Sequence, residues 1–221
     1  MKTCLRSLLC IAGVVLISSS LYAQSENSKK SMLSVHVGPT WQVGSQMGLT
    51  TLEDAYGKDL RKGIAWDASY WYVGKGPRDK GVRIAPGFLY QGSIYKGSYD
   101  TGADKIHMHY IAPQFGVFFI QEHFQIQAAS GIGYQFYKNK STVYNKPREV
   151  EINRIAGNFS LSGEYFLSRQ IGVSAQLNWL ISSADSYKTR YHDQTWEVEN
   201  PKSGYGYFGQ LSVLFGLNFH F

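Results

Sequence analysis

Hydrophobic and polar positions alternate along most of this chain with a period of two. At the C-terminal end, Phe221, Phe219, Leu217, Phe215, Val213 and Leu211 fall on one face. His220, Asn218, Gly216, Leu214, Ser212 and Gln210 fall on the other. One greasy face at this spacing is the signature of a half-buried strand. The same pattern predicts strands near 32–43, 63–73, 81–95, 105–120, 124–137, 155–167, 171–181 and 211–221. Any strand longer than the roughly 9–11 residues that cross a bilayer tilted should project beyond it. Short connections at 74–80, 121–123 and 168–170 alternate with long ones at 44–62, 96–104, 138–149 and 182–203.

An even number of antiparallel strands with loops of alternating length points to a closed up-and-down barrel. Two versions of that fold differ in which face turns outward. A soluble barrel keeps the greasy face inside, whereas a membrane barrel turns it to lipid. The polar faces here are rich in Gln, Asn, Ser and Gly and poor in Lys and Glu. A solvated surface carries more charge than this, and small amides suit a narrow lumen where they bond one another. Trp66, Tyr70, Tyr72, Tyr134, Tyr165, Trp179 and Tyr207 lie towards strand ends on the greasy face, as interfacial girdles require. The membrane orientation is therefore expected. A mean hydropathy of −0.25 does not oppose it, because alternating faces average out. The 16 Tyr, 12 Phe and 23 Gly residues favour strands over helices.

The N-terminal residues fit the same destination. Lys2 and Arg6 precede an apolar run from Leu8 to Ile17, and Leu21-Tyr22-Ala23 before Gln24 forms a cleavage site. Residues 1–23 are expected to be a removed signal peptide, 24–30 a short periplasmic segment and 31–221 the barrel. The run is too short to span as a helix. Cys4 and Cys10 would leave with it, so neither disulfides nor thiolate metal sites are expected in the mature chain. Loss of Lys2 and Arg6 lowers the formal charge from +6 to +4. That mild excess, spread over loops, gives no basis for nucleic-acid binding.

The chain resembles, along nearly its whole length, the small OmpA/OmpX-type eight-stranded barrels of Gram-negative outer membranes. Gly216-Leu217-Asn218-Phe219-His220-Phe221 resembles the terminal signal read by the barrel-assembly machinery, carried by Gly216, Phe219 and Phe221. Leu214 departs from the polar residue usual two places before that glycine. The resemblance implies an outer-membrane protein with both termini periplasmic and long loops outside. It does not extend to the peptidoglycan-binding domain of two-domain relatives.

A lumen this narrow is filled by side chains. Asp67, Arg83 and Glu164 are its expected charges, His36 and His220 its titratable groups, and Gln114 and Gln176 part of its polar network. Buried charge must be paired, so Arg83 is expected to bond Glu164 or Asp67. A structural ion pair is favoured over a gate. His107 and His109 share the lipid-facing side of one strand without a third ligand, so no metal or other cofactor is expected. No His-x-Ser pair or Gly-x-Ser-x-Gly elbow occurs. Function is expected in the loops. Thr51-Leu52-Glu53-Asp54 starts a short helix in the first, and Tyr187, Tyr191 and Trp196 in the last suit recognition of a protein or glycan. Lys58, Arg61, Lys62, Lys105, Lys138, Lys140 and Lys146 could meet lipopolysaccharide phosphates. The alternatives are a lipid-modifying barrel enzyme (acyl hydrolase or acyltransferase), a narrow channel, or an accessory subunit of a secretion or transfer complex.

Overall fold

The two ends of the chain meet in one ladder. A computed structural model describes residues 31–43, 59–74, 81–99, 102–143, 146–184, 186–191, 194–199 and 206–221. In it Ser31 N donates to Phe221 O at 2.9 Å, and Phe221 N donates to Ser31 O at 3.0 Å. The expected signal peptide, the segment 24–30 and the loop helix begun by Thr51 lie outside the described residues.

The strands are β1 (Ser31–Val43), β2 (Lys62–Tyr72), β3 (Gly81–Tyr99), β4 (Gly102–Ile120) and β5 (Phe124–Val143). They continue with β6 (Lys146–Phe166), β7 (Ile171–Ala184), β8 (Ser186–Tyr191), β9 (Gln194–Glu199) and β10 (Gly206–His220). Each of β1 to β6 pairs antiparallel with the next, β7 pairs with β10, and β10 pairs with β1. The wall is a closed ring of eight strands. The remaining two, β8 and β9, form a hairpin attached to β6.

The short turns sit at the end that carries the termini. Ser168 Oγ accepts from the amides of Gln170 and Ile171, both at 3.1 Å, and so closes the turn from β6 to β7. At the opposite end three expected loops are shorter than their sequence suggested. β3 and β4 stay in register as far as Tyr99 and Gly102, and β5 and β6 as far as Val143 and Lys146. Beyond the apolar band the sequence alternation that marks a strand fades while its backbone ladder persists. The connection expected at 182–203 contains the β8–β9 hairpin. β8 takes β7's place beside β6 over Arg148 to Glu151.

Side-chain parity settles which face is outside. Val35, Ile64, Ile84, Phe115, Ile132 and Ile155 are exposed, whereas Ser34, His36, Asp67, Gln91, Gln114 and Asn178 are buried. Tyr70, Tyr72 and Tyr165 ring the turn end, and Trp41, Tyr134 and Trp179 stand nearer the loop end. The side chain of Tyr207 lies outside the described set.

The lumen is not purely polar, contrary to expectation. Met32, Trp71, Ala85, Phe118 and Ala129 form an apolar plug at the turn end. Trp71 and Phe118 meet edge to face with ring centroids 5.4 Å apart. A second apolar layer joins Leu89, Tyr110, Ala112, Ala156 and Leu180. A third, at the loop end, joins Leu60, Tyr95, Ile106, Met108, Tyr137, Val150 and Ile152.

Between these layers, long side chains reach over a neighbouring strand at three glycines. His36 on β1 is level with Gly216 on β10, which is level with Ser174 on β7. The imidazole crosses Gly216 and meets Ser174 Oγ at 2.8 Å. Gln114 crosses Gly131 to Asn158 in the same way, at 2.8 Å, and Tyr95 crosses Gly63 to Thr40, at 3.1 Å. Strand glycines are costly in conformational entropy and mark places where another group approaches closely. A Cβ at position 216 would meet the backbone oxygen of Val35 as well as His36 Cδ2, the latter at 2.5 Å. Gly216→Ala is therefore expected to lower unfolding stability by about 1–3 kcal/mol. That increment should persist in a His36→Ala background, because the nearest contact is with the backbone of β1. Urea titrations of the refolded variants test this; an increment lost in that background would place the strain on the imidazole.

Candidate functional site

Two places gather chemistry: the polar layer of the lumen and the rim at the loop end. In the lumen, the carboxylates are held by histidines. His36 Nδ1 lies 2.7 Å from Asp67 Oδ1, and Gln176 Nε2 donates to Asp67 Oδ2 at 2.7 Å. His220 Nε2 lies 2.6 Å from Glu164 Oε1, and Gln125 Nε2 donates to Oε2 at 3.3 Å. Arg83 was the expected partner of these acids. It lies half-buried on the lumenal side of β3 opposite Phe118, beside the apolar plug at the turn end. Imidazoles on β1 and β10 hold the two carboxylates. Gln114 and Gln176 both belong to the network, bonded to Asn158 and Asp67.

Ser174, His36 and Asp67 have the connectivity of a hydrolytic triad but not its polarity. Ser174 Oγ donates to Asn218 Oδ1 at 3.1 Å, so its proton is directed away from His36. A nucleophilic serine needs the reverse, with its proton passed to the imidazole. The arrangement is a buried hydrogen-bonded network, and all three residues are closed off from solvent.

The rim lies on the outer wall where the apolar band ends. Tyr90 OH and His109 Nδ1 are 2.9 Å apart, their rings stacked at 6.0 Å. The register sets His107 beside Ile94 and Lys138, and His109 beside Gly92 and Phe136, so no serine or carboxylate flanks either histidine. Among the described residues no three groups could hold a metal ion together. His192 and Asp193 lie outside the described residues. Lys138 pairs with Glu149 and with Glu151, the latter at 2.7 Å. The two carboxylates raise the lysine's affinity for a proton, and the lysine holds the Glu149 carboxyl below its ordinary range.

The hairpin brings the three expected recognition residues to one face. Tyr187 is level with Val198, Thr189 with Trp196, and Tyr191 with Gln194. Because Val150 is level with Thr189, this face continues the lumenal side of β6. Tyr187 packs against the loop-end apolar layer, which its reading as a loop residue did not foresee. Trp196 remains 43% exposed. Lys188 and Arg190 point to the other face beside Glu151 and Glu149.

No protein-family model matches this sequence, and comparison with the curated proteins finds no match. Solved structures do match. The outer membrane protease OmpT from Escherichia coli is 9% identical, with a TM-score of 0.51 over 87% of this chain and 97% of that one. A major outer membrane protein from Thermus thermophilus is 11% identical, with a TM-score of 0.55 over 86% of this chain and 99% of that one. At such identities the likeness concerns the fold. The chain has the fold of the outer-membrane β-barrels. Its wall is of the small, eight-stranded kind seen in OmpA/OmpX-type barrels.

Removing the hydrogen-bonding partner of a buried carboxylate strands it, at a cost of about 3–5 kcal/mol. His36→Ala is expected to destabilise the barrel by that amount in urea. A double replacement, His36→Gln with Asp67→Asn, should recover most of it. Equal stability of His36→Ala and the wild-type protein would show that Asp67 is neutralised by something else.

Proposed function

We propose that this protein is a non-enzymatic surface barrel that binds an external protein or glycan at its loop end and contributes to the envelope as a rigid anchor. In this reading residues 1–23 are a removed signal peptide, both termini are periplasmic and the β8–β9 hairpin stands outside the cell. Outer-membrane barrels generally carry short turns on the periplasmic side and long connections outside, which favours that orientation. The barrel-assembly machinery would read Gly216, Phe219 and Phe221, and lipopolysaccharide would surround the rim.

The observation that carries the reading is a wall whose lumen is filled while its sheet continues past the apolar band into a hairpin. The apolar layers around Trp71 and around Ile106 occupy both ends of the lumen, which speaks against a channel. The outer-wall histidines lack a flanking serine or acid, which speaks against lipid hydrolysis. What remains exposed is the hairpin, with Trp196 on one face and charged Lys188, Arg190, Glu197 and Glu199 on the other. Exposed aromatic and charged residues on a rigid support are the usual materials of a recognition surface.

Replacing 186–199 with a tight turn is expected to leave heat-modifiable gel migration intact, since the ring does not depend on the hairpin. The same variant should lose the binding that the wild-type barrel shows on a glycan array or to immobilised proteins. Protease added to intact cells should cut within the hairpin of the wild-type protein. Resistance in intact cells with cleavage after lysis would reverse the orientation. Reconstituted in planar bilayers, the barrel should give no steady conductance; sustained open-pore currents would restore the channel.

A further inference from the structure

Three lysines stand shoulder to shoulder on the outer wall above the apolar band. Lys96 on β3 is directly level with Lys105 on β4, and Lys105 is directly level with Lys140 on β5. Like charges in directly opposed strand positions repel and destabilise a sheet. Lys138 shows how this wall pairs a cation when it must: two glutamates hold it. Among the described residues no carboxylate lies within ion-pair distance of Lys96, Lys105 or Lys140, and all three are exposed; Glu149, directly level with Lys140, is held by Lys138 instead. Asp104, the nearest acid in sequence, points the other way, accepting from Asn139 at 2.7 Å with Arg148 at 3.8 Å.

The three lysines line one open cleft of about 610 Å³, together with Ser98, Thr142, Asp59 and Asp104. Ser98 and Thr142 add hydroxyl donors beside the ammonium groups. The crowding is felt by His107 on the same wall, whose proton affinity is lowered first by burial and then by Lys105, His109, Lys140 and Lys96. Below the lysines the same strands present Tyr90, Ile111, Tyr134 and Phe136. The order along the wall is therefore apolar band, aromatic step, cationic row. Phosphate groups at a bilayer surface occupy that third level, just outside the aromatic belt.

We infer that Lys96, Lys105 and Lys140 form a site for a phosphate-bearing lipid headgroup, with Ser98 and Thr142 as hydroxyl donors. A phosphate bridging adjacent ammonium groups converts their repulsion into charge-assisted hydrogen bonds. The lipid's chains then lie along Ile111, Tyr134 and Phe136, which a soluble anion could not use. The inference rests on the reading that the loop end faces a leaflet rich in phosphorylated headgroups, but its test in vesicles does not depend on orientation.

The mature protein, refolded into phosphatidylcholine vesicles with or without phosphatidic acid, is heated, and its folded and unfolded gel bands are compared. Phosphatidic acid is expected to raise the melting temperature of the wild-type barrel by roughly 4–8 °C. The variant with Lys96→Gln, Lys105→Gln and Lys140→Gln should lose that rise. Without phosphatidic acid the same variant should melt no lower than the wild type, because mutual repulsion has been removed. Lys138→Gln, a neighbouring charge already paired, should keep the rise. Equal stabilisation of wild type and triple variant would overturn the site. Inorganic phosphate alone reproducing the whole rise in phosphatidylcholine would assign the row to a soluble anion and overturn the lipid. Failure here leaves the hairpin-binding experiments untouched, and failure there leaves this result standing.

Discussion

In a bilayer every backbone amide and carbonyl must find a partner within the protein, because hydrocarbon offers none. A sheet can meet that demand only by closing on itself. The paired amides of Ser31 and Phe221 are where this chain does so. Once the ring is closed, period-two alternation assigns every residue of the wall to lipid or to the lumen. With eight strands, the lumen has room for side chains and little else.

That narrowness explains how the interior is built. A strand wall that put a side chain at every lumenal position would crowd its own centre. Glycine at 216, 131 and 63 leaves gaps through which His36, Gln114 and Tyr95 lie flat against the wall and bond two strands away. Asp67 and Glu164 are each matched by an imidazole, and Asp104 by Asn139 and Arg148, so the lumen strands none of these carboxylates. Apolar layers at both ends then separate this polar core from water. The barrel is a solid rod whose polar contents sit inside and whose greasy contents face out.

Much of this was legible in the sequence. Alternation located all eight wall strands, the face that meets lipid and the lumenal placement of Asp67, Glu164, Gln114 and Gln176. Parity also contained Trp71 and Phe118, which lie one residue from outward Tyr70, Tyr72, Val117 and Phe119. Their runs of consecutive apolar residues hid which members pointed inward. The histidine partners of Asp67 and Glu164 could not be read, because a contact over an intervening strand depends on register, shear and a glycine far away in the chain. The hairpin within 182–203 was illegible for another reason. Outside the bilayer both faces of a strand are tolerably polar, so the period that betrays a strand disappears. The row of lysines has no local signature at all, since its members are separated by connections and become neighbours only when three strands align.

The crossing of His36 over Gly216 has one more consequence. β1 and β10 form the seam at which the barrel's first and last strands meet, joined along its length by a backbone ladder. His36 lies across the inside of that seam, anchored to Asp67 on one side and Ser174 on the other. The terminal strand is thus clasped from beneath by a side chain that starts on one of its neighbours and ends on the other. Parting the wall sideways at this joint would require breaking a buried charge network as well as a sheet edge. This barrel is bolted shut against lateral exchange with the surrounding lipid.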